Sequence, residues 1–126
     1  MDLYKELLID HWKNPRNFKR LKRATSRVKL VNPLCGDKMT LELKVENGEI
    51  ADVGFSGTGC IISQAAGSLL TEEVRKLKKL DKICKIDEKE YFKILGTNVV
   101  PGRKKCALLA YQALKKALEG NGRQNT

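Results

Sequence analysis

The sequence predicts an α+β fold, a three-stranded antiparallel sheet packed against helices. Two observations predict it. Apolar residues alternate with polar ones at Val28 and Leu30 and again at Leu41, Leu43 and Val45, and recur at three- and four-residue helical spacing on either side of this strand region. The strand-like segments are thus consecutive, which favours one antiparallel sheet with helices laid on it over alternating strand–helix units.

Residues 2–13 read as an amphipathic helix, with Tyr4, Leu8 and Trp12 at i, i+4 and i+8 beside Leu3 and Leu7. Asp2 suits its cap, and Asn14-Pro15 ends it. Residues 16–25 form a basic, polar connector. Val28 and Leu30 then alternate with Arg27 and Lys29 in a half-buried first strand. In the second, Leu41, Leu43 and Val45 alternate with Glu42, Lys44 and Glu46, which would face water. A two-residue Asn47-Gly48 turn would set Asp52 opposite Leu43. A three-residue loop, Glu46-Asn47-Gly48, instead places Leu43, Ala51, Leu41 and Val53 on one face with Gly48 left-handed, and is preferred. The third strand, residues 49–55, leads into Gly57-Thr58-Gly59. A helix follows over residues 61–76, with Ile62, Ala65, Ala66, Leu69 and Leu70 as its inner face. Residues 77–87 read as a charged connector and 88–95 as a short helix. A last helix spans 104–119, packing through Leu109, Ala110, Ala113, Leu114 and Ala117.

At 126 residues the chain suits one domain, 1–126, with a core that needs no staples. No apolar run approaches the length that crosses a bilayer, so no membrane partner is expected. The opening is acidic and amphipathic, unlike a secretory signal, and cysteines in turn contexts then suit a reducing, cytoplasmic setting. The net charge of +10 raises the question of nucleic acid. Yet neither a helix-turn-helix nor an aromatic-rich RNA-binding strand accompanies the basic clusters at Lys19-Arg20, Lys22-Arg23, Arg75-Lys76 and Arg103-Lys104-Lys105. A solvated surface, or a face for an acidic protein, fits the composition better.

The chemistry lies in three cysteines that each follow a turn signal. Cys35 and Asp37 flank Gly36 between two strands, where a bend lets groups two apart converge on one ion. Cys60 follows Gly57-Thr58-Gly59 and leads a helix, whose free backbone N–H groups and dipole favour an anionic sulfur. Cys106 repeats the pattern after Pro101-Gly102. Sulfurs with one carboxylate suit tetrahedral zinc or the irons of a [2Fe–2S] cluster, and the oxygen donor suits a site that releases what it holds. A closed structural zinc site would more commonly use cysteine and histidine pairs at short spacing, absent here. Cys84, in Lys82-Ile83-Cys84-Lys85, lacks a glycine turn and reads as a small filler. His11, the only histidine, falls opposite the apolar stripe of its helix and reads as a surface or packing residue. Lys105, in a first helical turn that disfavours cations, is a candidate modulator of Cys106 or partner of Asp37.

These segments, with the opening Asp2-Leu3-Tyr4 through Asp10-His11-Trp12-Lys13-Asn14-Pro15-Arg16-Asn17, resemble the U-type scaffold family of iron–sulfur cluster assembly, the IscU, SufU and NifU N-terminal group. The blocks match in order and spacing over nearly the whole chain. The resemblance implies an α+β fold of the SufE/NifU type and a site of Cys35, Asp37, Cys60 and Cys106. It also implies a cysteine desulfurase that supplies sulfur. Isc-type members carry a histidine before the last cysteine, where Lys105 stands here. Their leucine–proline–proline–valine–lysine segment is Val99-Val100-Pro101-Gly102-Arg103. The basic residue is SufU-like, whereas the stretch from Cys60 to Cys106 is too short for the usual SufU insertion.

On this resemblance the chain is a scaffold, a carrier more than a turnover enzyme. It accepts sulfur on Cys106 or Cys35 and builds a labile [2Fe–2S] cluster for apo iron–sulfur proteins. One alternative is a zinc-bound SufU-type sulfurtransferase that relays persulfide sulfur. Another is a basic nucleic-acid-binding module with a structural zinc. A homodimer is compatible with the leading reading.

Overall fold

The computed structural model describes residues 3–33, 36–96 and 103–122. Its elements run α1 (Leu3–Lys13), β1 (Ser26–Val31), β2 (Lys38–Glu46), β3 (Glu49–Thr58), α2 (Ile61–Leu77), α3 (Leu80–Ile83), α4 (Glu88–Leu95) and α5 (Lys104–Gly122). The strands form one antiparallel sheet in the order β1-β2-β3, so the expected α+β architecture is present. α5 lies against β1 and β2, α2 against β3 and α5, and α1 and α4 pack on α2. Met39, Leu41, Leu43, Val53 and Phe55 of the sheet are buried together with Ala66, Leu70 and Val74 of α2 and Ala110, Ala113 and Leu114 of α5. Small alanines let the helices approach the sheet closely. Each fully buried Leu, Val or Phe adds about 1.5–3 kcal/mol of transfer free energy.

The β2–β3 connection differs from the expected three-residue loop. Glu46 pairs with Glu49 and Val45 with Ile50, which leaves a two-residue turn of Asn47 and Gly48 at φ 54° and 75°. Consecutive positive φ values match the twist of a hairpin, and asparagine and glycine accept them readily. The extra residue is absorbed one step later, in the strand. Ala51 bulges out, so Lys44 faces Asp52, Leu43 faces Val53 and Leu41 faces Phe55. Leu41, Leu43 and Val53 therefore share the inner face as expected, while Ala51 is exposed.

Glu42 also departs from expectation, being fully buried rather than water-facing. Arg20 Nε donates to its Oε1 at 2.6 Å, and Arg27 donates to Oε2 through Nε at 3.0 Å and Nη2 at 2.8 Å. Burial alone would raise the Glu42 pKa, but the two arginines outweigh it and hold the carboxyl below its ordinary value.

α1 buries Leu8, yet Leu7 and Trp12 are exposed and His11 is inside. The face turns toward His11 because Ser68 of α2 lies 2.7 Å from His11 Nδ1 and also accepts from the Arg16 backbone N–H at 2.8 Å. The Asp2 cap and the side chains of Leu3 and Tyr4 lie outside the described residues. The charged connector contains α3, which the sequence reading missed, and it buries Ile83 and Ile86. α4 has its expected limits: Asp87 Oδ1 caps it by accepting from Glu90 N–H at 2.8 Å, and left-handed Gly96 ends it.

Candidate metal centre

Asp37, Cys60 and Cys106 meet at one end of the sheet. A carboxylate oxygen of Asp37 and the two Sγ atoms all lie within 4.8 Å of one another. That spread lets a single ion or small cluster touch all three. The three come from three unrelated parts of the chain, and a local backbone device positions each.

Asp37 is held by the turn that joins β1 to β2. Its carbonyl accepts from Asn32 N–H at 2.8 Å, and Gly36 N–H donates to the Asn32 carbonyl at 2.7 Å. Gly36 adopts φ 76°, the left-handed bend expected between the site residues. The Asp37 side chain is buried, and its Oδ1 accepts from the backbone N–H of Cys60 at 3.2 Å. Carboxylate and cysteine are thereby held in mutual register.

Cys60 occupies the N-cap of α2 in extended conformation, φ −74° and ψ 172°, with no side-chain bond back to the helix. Its carbonyl accepts from Ser63 Oγ and Gln64 N–H, both at 3.1 Å, which starts the helix. Gly59 is forced by close approach. A Cβ there would stand 2.3 Å from Ser63 Oγ and 3.0 Å from Asp37 Cγ. Gly59 and Ser63 are positioning residues that sequence reasoning passed over. Their signal was Ser63 standing three residues after Cys60, a spacing that suits a helix-start hydroxyl.

Cys106 lies in the first turn of α5 and is buried, whereas Arg103, Lys104 and Lys105 beside it are exposed. α5 is seated by Tyr91 of α4, fully buried, whose hydroxyl donates to the carbonyl of Ala107, the residue after Cys106. Burial pushes the Tyr91 phenol far up, so it stays a neutral donor. Its ring packs against Tyr111 and Phe92 at 5.2 and 5.5 Å.

Cys35 and the Pro101-Gly102 turn lie outside the described residues. Cys84 is exposed on the surface after α3 and is not the buried filler expected of it; its carbonyl accepts from Lys115 Nζ at 3.1 Å. His11 belongs to the α1–α2 contact as a packing histidine.

The sequence profile of the NifU-like N-terminal domain matches residues 3–126. The zinc-dependent sulfurtransferase SufU of Bacillus subtilis (strain 168) is 32% identical over 132 residues, spanning 92% of this chain and 89% of that protein. The iron–sulfur cluster assembly scaffold protein IscU 1 of Archaeoglobus fulgidus is 34% identical over 124 residues, spanning 98% and 79%. A crystal structure from Fervidobacterium islandicum AW-1, put forward as an iron–sulfur cluster assembly scaffold protein for the SUF system, aligns with TM-score 0.76 and 26% identity. That alignment covers 90% of this chain and 94% of the other.

Proposed function

The chain belongs to the NifU-like N-terminal domain family, and on that premise we propose that it is an iron–sulfur cluster assembly scaffold which accepts sulfur from a cysteine desulfurase. The convergence of the Asp37 carboxylate with the Cys60 and Cys106 sulfurs within 4.8 Å carries the reading. Cys35, two residues before Asp37 in the sequence, is proposed as the third sulfur.

Cys106 or Cys35, as thiolate, attacks the outer sulfur of the desulfurase persulfide. The persulfide S–S bond breaks, the desulfurase cysteine leaves as thiolate, and the sulfane sulfur stays on the scaffold. Turning that sulfur into sulfide takes two electrons, which ferrous iron and an external reductant share between them. Cys60 and Asp37 receive the iron. The [2Fe–2S] cluster is cargo, and Asp37 is the ligand that gives way on transfer, because a hard carboxylate holds such irons less firmly than a thiolate. The mechanism needs reduced cysteines, which fits a cytoplasmic setting.

Lys105 before the last cysteine, together with the SufU relative, favours a second reading in which the same residues hold zinc and relay persulfide sulfur. One experiment separates the two. The protein is purified anaerobically and its metal content and absorption spectrum are recorded before and after desulfurase, cysteine and ferrous iron are added. Sulfur-to-iron charge-transfer bands support the scaffold. A colourless protein that keeps one zinc and still accepts persulfide sulfur supports the relay.

A further inference from the structure

At the hairpin end of the sheet an open cavity of about 450 Å³ is lined by Lys19, Arg20, Lys22, Arg23 and Lys44, with Leu21 and Asp52. Five cations face one carboxylate. We propose that this groove docks an acidic peptide segment of a partner protein.

The charge accounting separates the groove from an ordinary solvated surface. Asp52 is already committed to Lys19 at 3.0 Å and Arg75 at 2.7 Å. Arg20 reaches buried Glu42 through Nε alone, which leaves both terminal guanidinium nitrogens for a ligand, and its side chain is 61% exposed. Among the described residues Lys44 pairs only with exposed Glu46, at 3.3 Å. Lys22 and Arg23 are exposed and have no ion-pair partner among the described residues. The groove is also built in place. The connector is bonded to β3 by Lys19 N–H to the Phe55 carbonyl at 3.0 Å and by Phe55 N–H to the Asn17 carbonyl at 2.9 Å, and Glu42 anchors Arg20 from beneath. Cations held by fixed backbone lose less freedom on binding than the same charges on a mobile arm.

Carboxylates fit this groove better than nucleic acid. No aromatic side chain lines it, so unstacked bases have no platform, and its size is far below a duplex footprint. Its position defines its use. Lys38 sits at the metal-site end of β2, and Lys44 is six residues further on, about 20 Å away at ~3.3 Å per residue. A partner held at the groove therefore leaves Asp37, Cys60 and Cys106 open to sulfur and iron.

The test measures binding of a fluorescein-labelled hexaglutamate peptide by anisotropy at about 0.15 M salt. The Lys22→Glu/Arg23→Glu variant is expected to bind at least ~10-fold more weakly. A Lys82→Glu/Lys85→Glu variant, with the same charge change on and after α3, is expected to stay within about twofold, as a local site requires. Far-ultraviolet circular dichroism and zinc affinity, unchanged in both variants, show that fold and metal centre are intact and keep this proposal separate from the scaffold reading. Equal weakening by both variants overturns it, as does absence of binding by the parent. Tighter binding of single-stranded oligothymidylate through Lys22 and Arg23 also overturns it and assigns the groove to nucleic acid.

Discussion

Substituting Gly59 by Ala tests whether backbone packing sets the geometry of the candidate metal centre. The new methyl would lie 2.3 Å from Ser63 Oγ and 3.0 and 3.1 Å from Asp37 Cγ and Oδ1. Non-bonded heavy atoms settle near 3.5 Å, so the Ser63 hydroxyl must retreat by roughly 1 Å and the carboxylate by about half that. Ser63 can turn away at the expense of its bond to the Cys60 carbonyl. Asp37 cannot move without stretching its bond from Cys60 N–H, already 3.2 Å. Overpacking of this kind costs about 1–3 kcal/mol of stability. Displacing a residue that orients ligands lowers metal affinity by about 10–100-fold. Urea unfolding of the metal-free protein reads the first quantity, and competition for zinc against a chromophoric chelator reads the second. A Gly59→Ala/Ser63→Ala double variant removes the worst contact but keeps both contacts to Asp37. It should therefore regain stability more fully than affinity. Zinc affinity within about twofold of the parent in Gly59→Ala, while Asp37→Ala loses it, would refute the reasoning.

Three further outcomes follow from the packing. Burial, then the nearby Arg16 charge, holds the His11 pKa below its ordinary 6.5. The unfolded chain takes up this proton first, so stability is complete above about pH 6.5 and declines as the pH falls below it. Urea midpoints at neutral and mildly acidic pH should converge in His11→Gln, and an unchanged pH slope would count against a buried neutral histidine. Glu42→Gln keeps the shape but removes the charge between Arg20 and Arg27, for an expected loss of about 1–3 kcal/mol. Because the native Glu42 pKa lies below its ordinary 4.5, the parent's advantage is present above that pH and fades as acid titrates the native carboxylate. Acid-unfolding curves that run parallel for parent and variant would disprove this. Tyr91→Phe loses one hydrogen bond to Ala107, about 1 kcal/mol, whereas Tyr91→Ala also leaves a cavity and should cost about 3–5 kcal/mol. Thermal unfolding separates them, and equal losses would show that the hydroxyl, not the ring, seats α5.

The legible parts of the fold were those with a local signature. α4 could be bounded at residues 88–95 because Asp87 and Gly96 stop it at both ends. The hairpin register was half legible. Alternation found the inner set, but a bulge at Ala51 and a longer loop deliver the same faces, and only the sheet distinguishes them. The burial of Glu42, and the face of α1 on which His11 falls, were misjudged because their partners lie far along the chain: Arg27 and Arg20 are 15 and 22 residues from Glu42, and Ser68 is 57 from His11. Periodicity treats a polar residue as wet and does not see a distant arginine or serine. At the site, Asp37, Cys60 and Cys106 were legible because each stands beside a chain reversal or helix start. Of the supports, only Ser63 left a spacing to read, three residues after Cys60; the tight approach at Gly59 and the bond from Tyr91 to a neighbouring helix left none.

Cys60 stands where a helix usually places a serine or aspartate to close its own first turn, and its sulfur makes no such closure. α2 thus begins without a side-chain cap at a residue proposed to hold an ion. An occupant that fixes the sulfur as a thiolate would give the free N–H groups of the first turn an anionic acceptor. Amide exchange at the head of α2 should slow when the ion binds while the middle of the helix stays unchanged, so the protein would signal its cargo by local stiffening without a change of shape.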